Sequence, residues 1–210
     1  MSSPFLLLVA SYLIGTIPTA YLVVRQQSGQ DIRVAGSGNV GAMNSYEVTG
    51  SRWTGLLVAL GDALKGVLAV WLALGPMMPD GWTSLAAGGL GLLGCIAGHN
   101  YNAFLSIQAG KVSGGKGFAT AAGGLLWLLP LIVPIWLAIV FLGREAFARW
   151  KGPKDMIPGS ALATALSPLY GLALYGPVAA LILAGFAALM LPKHVGQLRV
   201  LLGKTPDLEV

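Results

Sequence analysis

The sequence predicts an all-α integral membrane protein with seven transmembrane helices, some short or broken, the N-terminus outside and the C-terminus cytoplasmic. Composition is the first reason: of 210 residues 55% are hydrophobic and 10% are charged, where soluble domains carry roughly 25% charge. Mean hydropathy is +0.73. The apolar residues also gather in stretches near the roughly 20 residues that a straight helix needs to cross a bilayer. Lys and Arg, finally, concentrate between those stretches, at 25–52, 105–117, 144–155 and 193–204. The positive-inside tendency puts all four on one cytoplasmic side, so an even number of crossings must separate each from the next.

Each element follows from that rule. Phe5 to Val24 is long enough for a full span and is not preceded by a basic segment, so it reads as a retained helix rather than a signal-peptide core. Trp53 to Leu74 is the second span, with Asp62 and Lys65 near its middle. Three residues apart, these two share a helix face, and an ionisable pair at that depth must face protein or water. Mutual pairing is the favoured reading, because opposite charges lower each other's burial cost; a direct chemical role is the alternative. After a turn at 75–81 the third span runs from Trp82 to about Phe104 and contains Gly94-Cys95-Ile96-Ala97-Gly98, a spacing that permits close helix contact in a bilayer. It ends in Gly98-His99-Asn100-Tyr101-Asn102, too rich in polar side chains to face lipid, and 105–117 is read as a loop. The apolar stretch Phe118 to Gly143 carries Pro130 and Pro134; the charge rule asks it to cross twice, as two shorter helices turning at the prolines. Ile157 to about Tyr170 and Pro177 to Leu191 complete the seven. The whole of 1–210 reads as a single membrane domain, without linkers or low-complexity tails.

The formal charge of +5 comes from 13 Lys+Arg against 8 Asp+Glu. In a membrane protein such an excess reports topology and affinity for anionic lipid. No basic run interleaved with aromatics suggests nucleic-acid binding. The lone Cys95 lies inside an apolar segment, which leaves neither an intrachain disulfide nor a cysteine metal site and marks it as a packing residue.

The polar stretches hold two glycine-rich loops, Gly36-Ser37-Gly38-Asn39-Val40-Gly41-Ala42-Met43-Asn44 and Ser113-Gly114-Gly115-Lys116-Gly117. Backbone N–H groups without obstructing side chains, with a hydroxyl, an amide or an ammonium beside them, are equipment for phosphate oxygens. Gly36, Ser37, Gly38 and Asn39 can form an anion nest; Lys116 can neutralise a phosphate while Gly114, Gly115 and Gly117 let it approach the backbone. Either cluster alone would be an ordinary turn, but two on one face favour a site for a phosphate-handling enzyme in a bilayer. Gly110 to Lys116 matches G-x-x-x-x-G-K, yet Gly117 stands where a nucleotide-binding loop needs Ser or Thr, and no strand precedes it. With His99 and His194 the only histidines, a metal site is not expected. His194, beside Lys193 on the last cytoplasmic turn, is placed to donate to phosphate or to act as acid or base.

Gly36 to Asn44 resembles the GSGNxGAxN motif of the bacterial acyl-phosphate:glycerol-3-phosphate acyltransferases, the PlsY family. Gly98-His99-x-Tyr101 with Gly114-Gly115-Lys116-Gly117-x-Ala119-Thr120 is similar to its second motif, and Lys193-His194 with Leu201-Leu202 to a third. Asp62-Ala63-Leu64-Lys65-Gly66 resembles its D-x-x-K-G segment. The resemblance implies a seven-helix enzyme of the bacterial cytoplasmic (inner) membrane, its site facing the cytoplasm, that moves a fatty acyl group from acyl phosphate to the 1-hydroxyl of glycerol 3-phosphate. The products are lysophosphatidate and phosphate, the first acylation of phospholipid synthesis. It implies no metal, no organic cofactor and no obligatory protein partner; the partners are the two substrates and membrane lipid. By motif position it carries over Ser37, Asn39, Asn44, His99, Gly114, Gly115, Lys116, Thr120 and His194. Ser37 and Lys116 are the expected phosphate contacts, and His194 is expected to orient or deprotonate the attacking hydroxyl.

The sequence departs from the family pattern at Glu47, where Arg is common, at Asn102 in place of Pro, and at Gln197 in place of Asn. An anionic Glu47 would repel a phosphate unless it points away or Arg52 compensates. A paralogue with another acceptor, or an inactive one, therefore stays open. So do a small membrane transporter, since broken helices and intramembrane charge also mark transport pathways, and a non-catalytic lipid-binding scaffold.

Overall fold

The computed structural model describes residues 3–151 and 155–203. Residues 152–154 and Lys204, which belong to two of the basic stretches, lie outside the described residues, as does the C-terminus. All regular structure among the described residues is helical, and the chain divides into two compact units, one ending at Leu128 and one beginning at Leu129.

The first unit opens with α1 (Pro4–Gly15), started by Pro4 in its first turn and by the Ser3 hydroxyl, which accepts from the Phe5 N–H. A break at Thr16-Ile17-Pro18 separates α1 from α2 (Thr19–Ser28), which stops at Gly29 with φ 68°. Then come the first glycine loop, the short α3 (Ala42–Thr49) and α4 (Arg52–Leu74). The helix α5 (Ser84–Asn100) is capped by the Thr83 hydroxyl, and α6 (Ala103–Ala109) by the Asn102 side chain. So the stretch read as a loop from residue 105 begins inside a helix, because the Asn102 side-chain Oδ1 accepts from Leu105 N–H at 3.1 Å and restarts helical hydrogen bonding after Tyr101. The second glycine loop leads into α7 (Phe118–Leu128).

Small residues let these helices approach closely. A Cβ on Gly98 would run into the Tyr12 carbonyl, one on Gly15 into the Cys95 carbonyl, and one on Gly94 would lie 2.9 Å from the Leu8 carbonyl. The Gly94–Gly98 spacing is thus the α1 contact face of α5, with Cys95 fully buried beside it. On the other side, Gly66 of α4 and Gly123 of α7 meet the backbones of Thr120 and Ala63. Gly98→Ala is expected to cost about 1–3 kcal/mol by overpacking, seen as a lowered unfolding temperature in detergent.

The second unit contains α8 (Ile132–Lys151), α9 (Ile157–Tyr175), α10 (Pro177–Met190) and α11 (Pro192–Leu201). The apolar stretch 118–143 is indeed interrupted at Leu129-Pro130-Leu131, giving two helices rather than one kinked helix. Gly159 packs against the Val140 backbone, and the Trp136 indole donates to the Thr164 hydroxyl at 3.1 Å. Pro168 sits within α9 and cannot donate to the Thr164 carbonyl; the Ser167 hydroxyl does so instead at 2.8 Å.

Among the described residues three stretches are long and apolar enough to cross a membrane, Pro4–Ser28, Arg52–Leu74 and Ile157–Tyr175; Pro177–Met190 and Pro192–Leu201, bent by 55° at their junction, reach that length only when taken together. Of the other apolar helices, α5 with 17 residues and α7 with 11 are shorter than a straight span, while α8 has 20 residues and ends in a charged segment.

Candidate active site

The first glycine loop is held by one side chain. Asn44, 1% exposed, accepts from the Ser37 N–H at 2.9 Å and donates to the carbonyls of Asn39 at 2.9 Å, Ala35 at 3.1 Å and Ile32 at 3.3 Å. Its amide thereby closes the loop from the first turn of α3. Gly36, at φ 57°, packs directly on the Asn44 amide oxygen, where any Cβ would overlap it. The Gly38 N–H is used as well, donating to the Ala35 carbonyl at 3.1 Å. The N–H groups of Ser37 and Gly38 are therefore spent inside the loop. Ser37 itself is exposed.

Outside the loop, Arg33 braces its entry. The Arg33 guanidinium pairs with Asp31 at 2.6 Å, stacks 4.9 Å from the centre of the Tyr21 ring and donates to Gln108 at 3.2 Å. Hydrogen bonds from Arg33 hold the Asp31 carboxyl below its ordinary range, and the pairing raises Arg33 in turn. Ala20, Val24, Ile32, Val40, Val58 and Leu105 form the apolar core beneath.

The two glycine loops touch. Val40 N–H donates to the Gly114 carbonyl at 3.3 Å, Gly115 N–H to the His99 carbonyl at 3.0 Å, and Asn102 N–H to the Ser113 carbonyl at 3.0 Å. Gly115 packs so tightly that a Cβ there would overlap His99 Nε2 and stand 2.6 Å from the Val40 carbonyl. Lys116, half-buried, follows it, and Gly117 lies against the Asn100 side chain. Thr120, fully buried in the first turn of α7, shows no hydrogen-bond partner for its hydroxyl. Gly36, Ser37, Gly38, Asn39, Asn44, His99, Gly114, Gly115, Lys116, Gly117 and Thr120 all lie in the first unit.

Behind the second loop is a buried charge network. Lys65 pairs with Asp62 at 2.8 Å, so pairing of these two, expected from their spacing, is what the structure shows. The partners beyond that pair could not be read from the sequence: Lys65 also donates to the Ile17 carbonyl at 2.9 Å and meets His99 Nδ1 at 3.3 Å. The Ile17 carbonyl is left open to it by the break between α1 and α2, which the Asn102 side-chain amide also braces by donating to the Thr16 carbonyl at 2.7 Å. The three charged or polar side chains line a small cavity with Pro18, Val40 and Leu105.

His194 belongs to the second unit, at the start of α11. Its ring is fully buried, with Nδ1 2.9 Å from the Met190 carbonyl and Nε2 3.2 Å from the Ser160 hydroxyl. Glu47 is exposed on α3, and Arg52 is also exposed, its guanidinium 5.9 Å from the centre of the Trp53 ring.

A helical protein with several membrane-length apolar segments and two interlocked glycine loops is the class that fold and site define. Residues 5–204 match the family described as glycerol-3-phosphate acyltransferase, and the chain belongs to that family. A relative named glycerol-3-phosphate acyltransferase 2 from Moorella thermoacetica is 44% identical over 166 residues, 78% of this chain and 75% of the relative. Another named glycerol-3-phosphate acyltransferase, from Clostridioides difficile, is 32% identical over 97% of this chain and 94% of its own length. Among solved structures, PlsY, an integral membrane glycerol 3-phosphate acyltransferase, matches in its glycerol 3-phosphate form with TM-score 0.76 and 26% identity over 96% of this chain and 93% of that one. Its lysophosphatidic acid form matches with TM-score 0.75 and 25% identity at the same coverage.

Proposed function

We propose that this protein transfers a fatty acyl group from acyl phosphate to the 1-hydroxyl of glycerol 3-phosphate, releasing lysophosphatidate and inorganic phosphate. The hydroxyl oxygen forms the new ester bond to the acyl carbon, the bond from that carbon to the phosphate oxygen breaks, and the hydroxyl proton ends on the released phosphate. The observation that carries this reading is the contact between the two glycine loops in a chain of this family: Val40 bonds to Gly114, which brings the Ser37 loop against the Lys116 loop. The Ser37 and Gly38 amides are spent inside the first loop, and the Ser37 hydroxyl and the Lys116 ammonium are the groups proposed to meet phosphate. An acyl phosphate is already activated, so positioning and charge neutralisation can supply much of the rate. Asn44, Gly36 and Gly38 shape the first loop; Asn39, Gly114, Gly115, Gly117, His99 and Thr120 complete the proposed binding region. For His194, the role of orienting or deprotonating the hydroxyl rests on the motif resemblance alone.

The same reading takes the chain as one acyltransferase domain, since the family match runs from residue 5 to residue 204 and includes both compact units. It crosses a bacterial inner membrane seven times, with the N-terminus outside and the basic stretches and site on the cytoplasmic side. That topology follows from the distribution of Lys and Arg.

The test is phosphate release by purified protein given palmitoyl phosphate and glycerol 3-phosphate. Release should require both substrates, and Lys116→Ala should lower it at least about 100-fold, the scale for losing one charge-stabilising donor. Glu47 adds a specific second reading, an altered acceptor: consumption of acyl phosphate only with another hydroxyl or amine compound would establish that. No turnover with any acceptor would defeat the enzyme reading.

A further inference from the structure

The Lys65 ammonium is ion-paired with Asp62 Oδ1 at 2.8 Å, donates to the Ile17 carbonyl at 2.9 Å and lies 3.3 Å from His99 Nδ1. The Gly15 carbonyl, at 3.5 Å, is at the margin of bonding. An ammonium has three N–H donors and no acceptor, so its bond to Nδ1 requires a lone pair on that nitrogen. A neutral imidazole with a bare Nδ1 carries its proton on Nε2. The Asp62 carboxylate lies only 3.7 Å from the same nitrogen and would draw the proton to Nδ1 if it were unopposed. Lys65 opposes it by standing closer to both groups. The far edge of the ring is the one that meets the glycine loop, since the space beside Gly115 is filled by His99 Nε2 and the Val40 carbonyl.

We propose that Asp62 and Lys65 are positioning residues that hold His99 as its Nε2–H tautomer and present that N–H to the Gly114–Lys116 loop. Neither touches a substrate: their side chains are 4% and 5% exposed and act through the imidazole. The pair is suited to this task because it fixes the ring with a strong charged donor while adding no net charge beside it. A lone ammonium would bury an uncompensated cation, and a lone carboxylate would select the other tautomer. The effect on turnover rests on the acyl-transfer reading; the tautomer does not.

The chain's two histidines make this measurable. Selective 15N-histidine labelling gives two rings, and a His194→Gln protein assigns them. The wild-type His99 ring should show a protonated Nε2 and an unprotonated Nδ1 at neutral pH. Lys65→Met alone leaves a buried carboxylate and can fail to fold, so the decisive variant is Asp62→Asn/Lys65→Met, checked by monodisperse elution. In that protein the single Nε2–H form should be lost, and kcat/KM should fall roughly 10- to 100-fold, the scale seen when a group that orients an imidazole is removed. A wild-type ring protonated at Nδ1 overturns the proposal, as does an Nε2–H form that survives the double change. Loss of the tautomer with undiminished kcat/KM overturns the positioning role. If wild-type protein releases no phosphate, the acyl-transfer reading fails while the nitrogen shifts still decide the tautomer.

Discussion

Gly115→Ala is expected to reduce acyl transfer by about 100-fold or more while leaving the chain folded. The new methyl would overlap His99 Nε2 and stand 2.6 Å from the Val40 carbonyl, and neither neighbour can yield easily. The imidazole is held from behind by Lys65 at 3.3 Å, and Val40 is buried and bonded to Gly114 at 3.3 Å. The backbone of the second loop must move instead, carrying Lys116 with it. A displacement near 1 Å at a reacting centre is enough to cost about 100-fold. The comparison is Gly196→Ala in α11, where a Cβ meets nothing within 4 Å. That change should leave phosphate release intact and, by improving helix propensity, add up to about 1 kcal/mol of stability. Equal losses in the two variants would show that the contact at Gly115 is unimportant.

Lys65→Met should be among the most destabilising single substitutions in the chain, by about 3–5 kcal/mol, because it strands the Asp62 carboxylate in the first unit's interior. Asp62 is 3% exposed and its ion-pair partner would be gone. Asp62→Asn/Lys65→Met should regain most of that loss, since removing both charges removes the desolvation penalty together with the attraction. Thermal unfolding of the two single variants and the double gives the coupling directly. Additive losses would mean that the two side chains do not act as a pair.

These expectations draw on different depths of the sequence. Helical class and several membrane-length segments were legible from composition and apolar run length, and the division of 118–143 into two helices followed from the prolines together with the charge rule. The Asp62–Lys65 pairing was legible because residues three apart on a helix must face the same way. The third member was not: His99 lies 34 residues from Lys65 in the chain, and nothing in their spacing announces a contact. Short helices were equally hard to see. α6 begins at Ala103 because one Asn102 side chain caps it, in a stretch whose glycines and lysines otherwise suggest a loop. The glycine loops were recognisable as a pair, but the roles of individual groups were not. The Ser37 and Gly38 amides, which looked available to an anion, are satisfied by Asn44 and Ala35. The sequence pattern shows which groups are present, and only the folded contacts show which are already occupied.

The break at Thr16-Ile17-Pro18 also bears on how the protein is made. A helix interrupted within a bilayer leaves carbonyls that must find a donor, and a buried ammonium needs acceptors. Here each supplies the other, through the Lys65 bond to the Ile17 carbonyl. Synthesis runs from residue 17 to residue 65, so the acceptor is already in the nascent chain when the cation emerges. The segment Arg52–Leu74, costly to insert alone because of Asp62 and Lys65 near its middle, is preceded in the chain by the Ile17 carbonyl of Pro4–Ser28. The carbonyl that receives the ammonium thus precedes it along the chain.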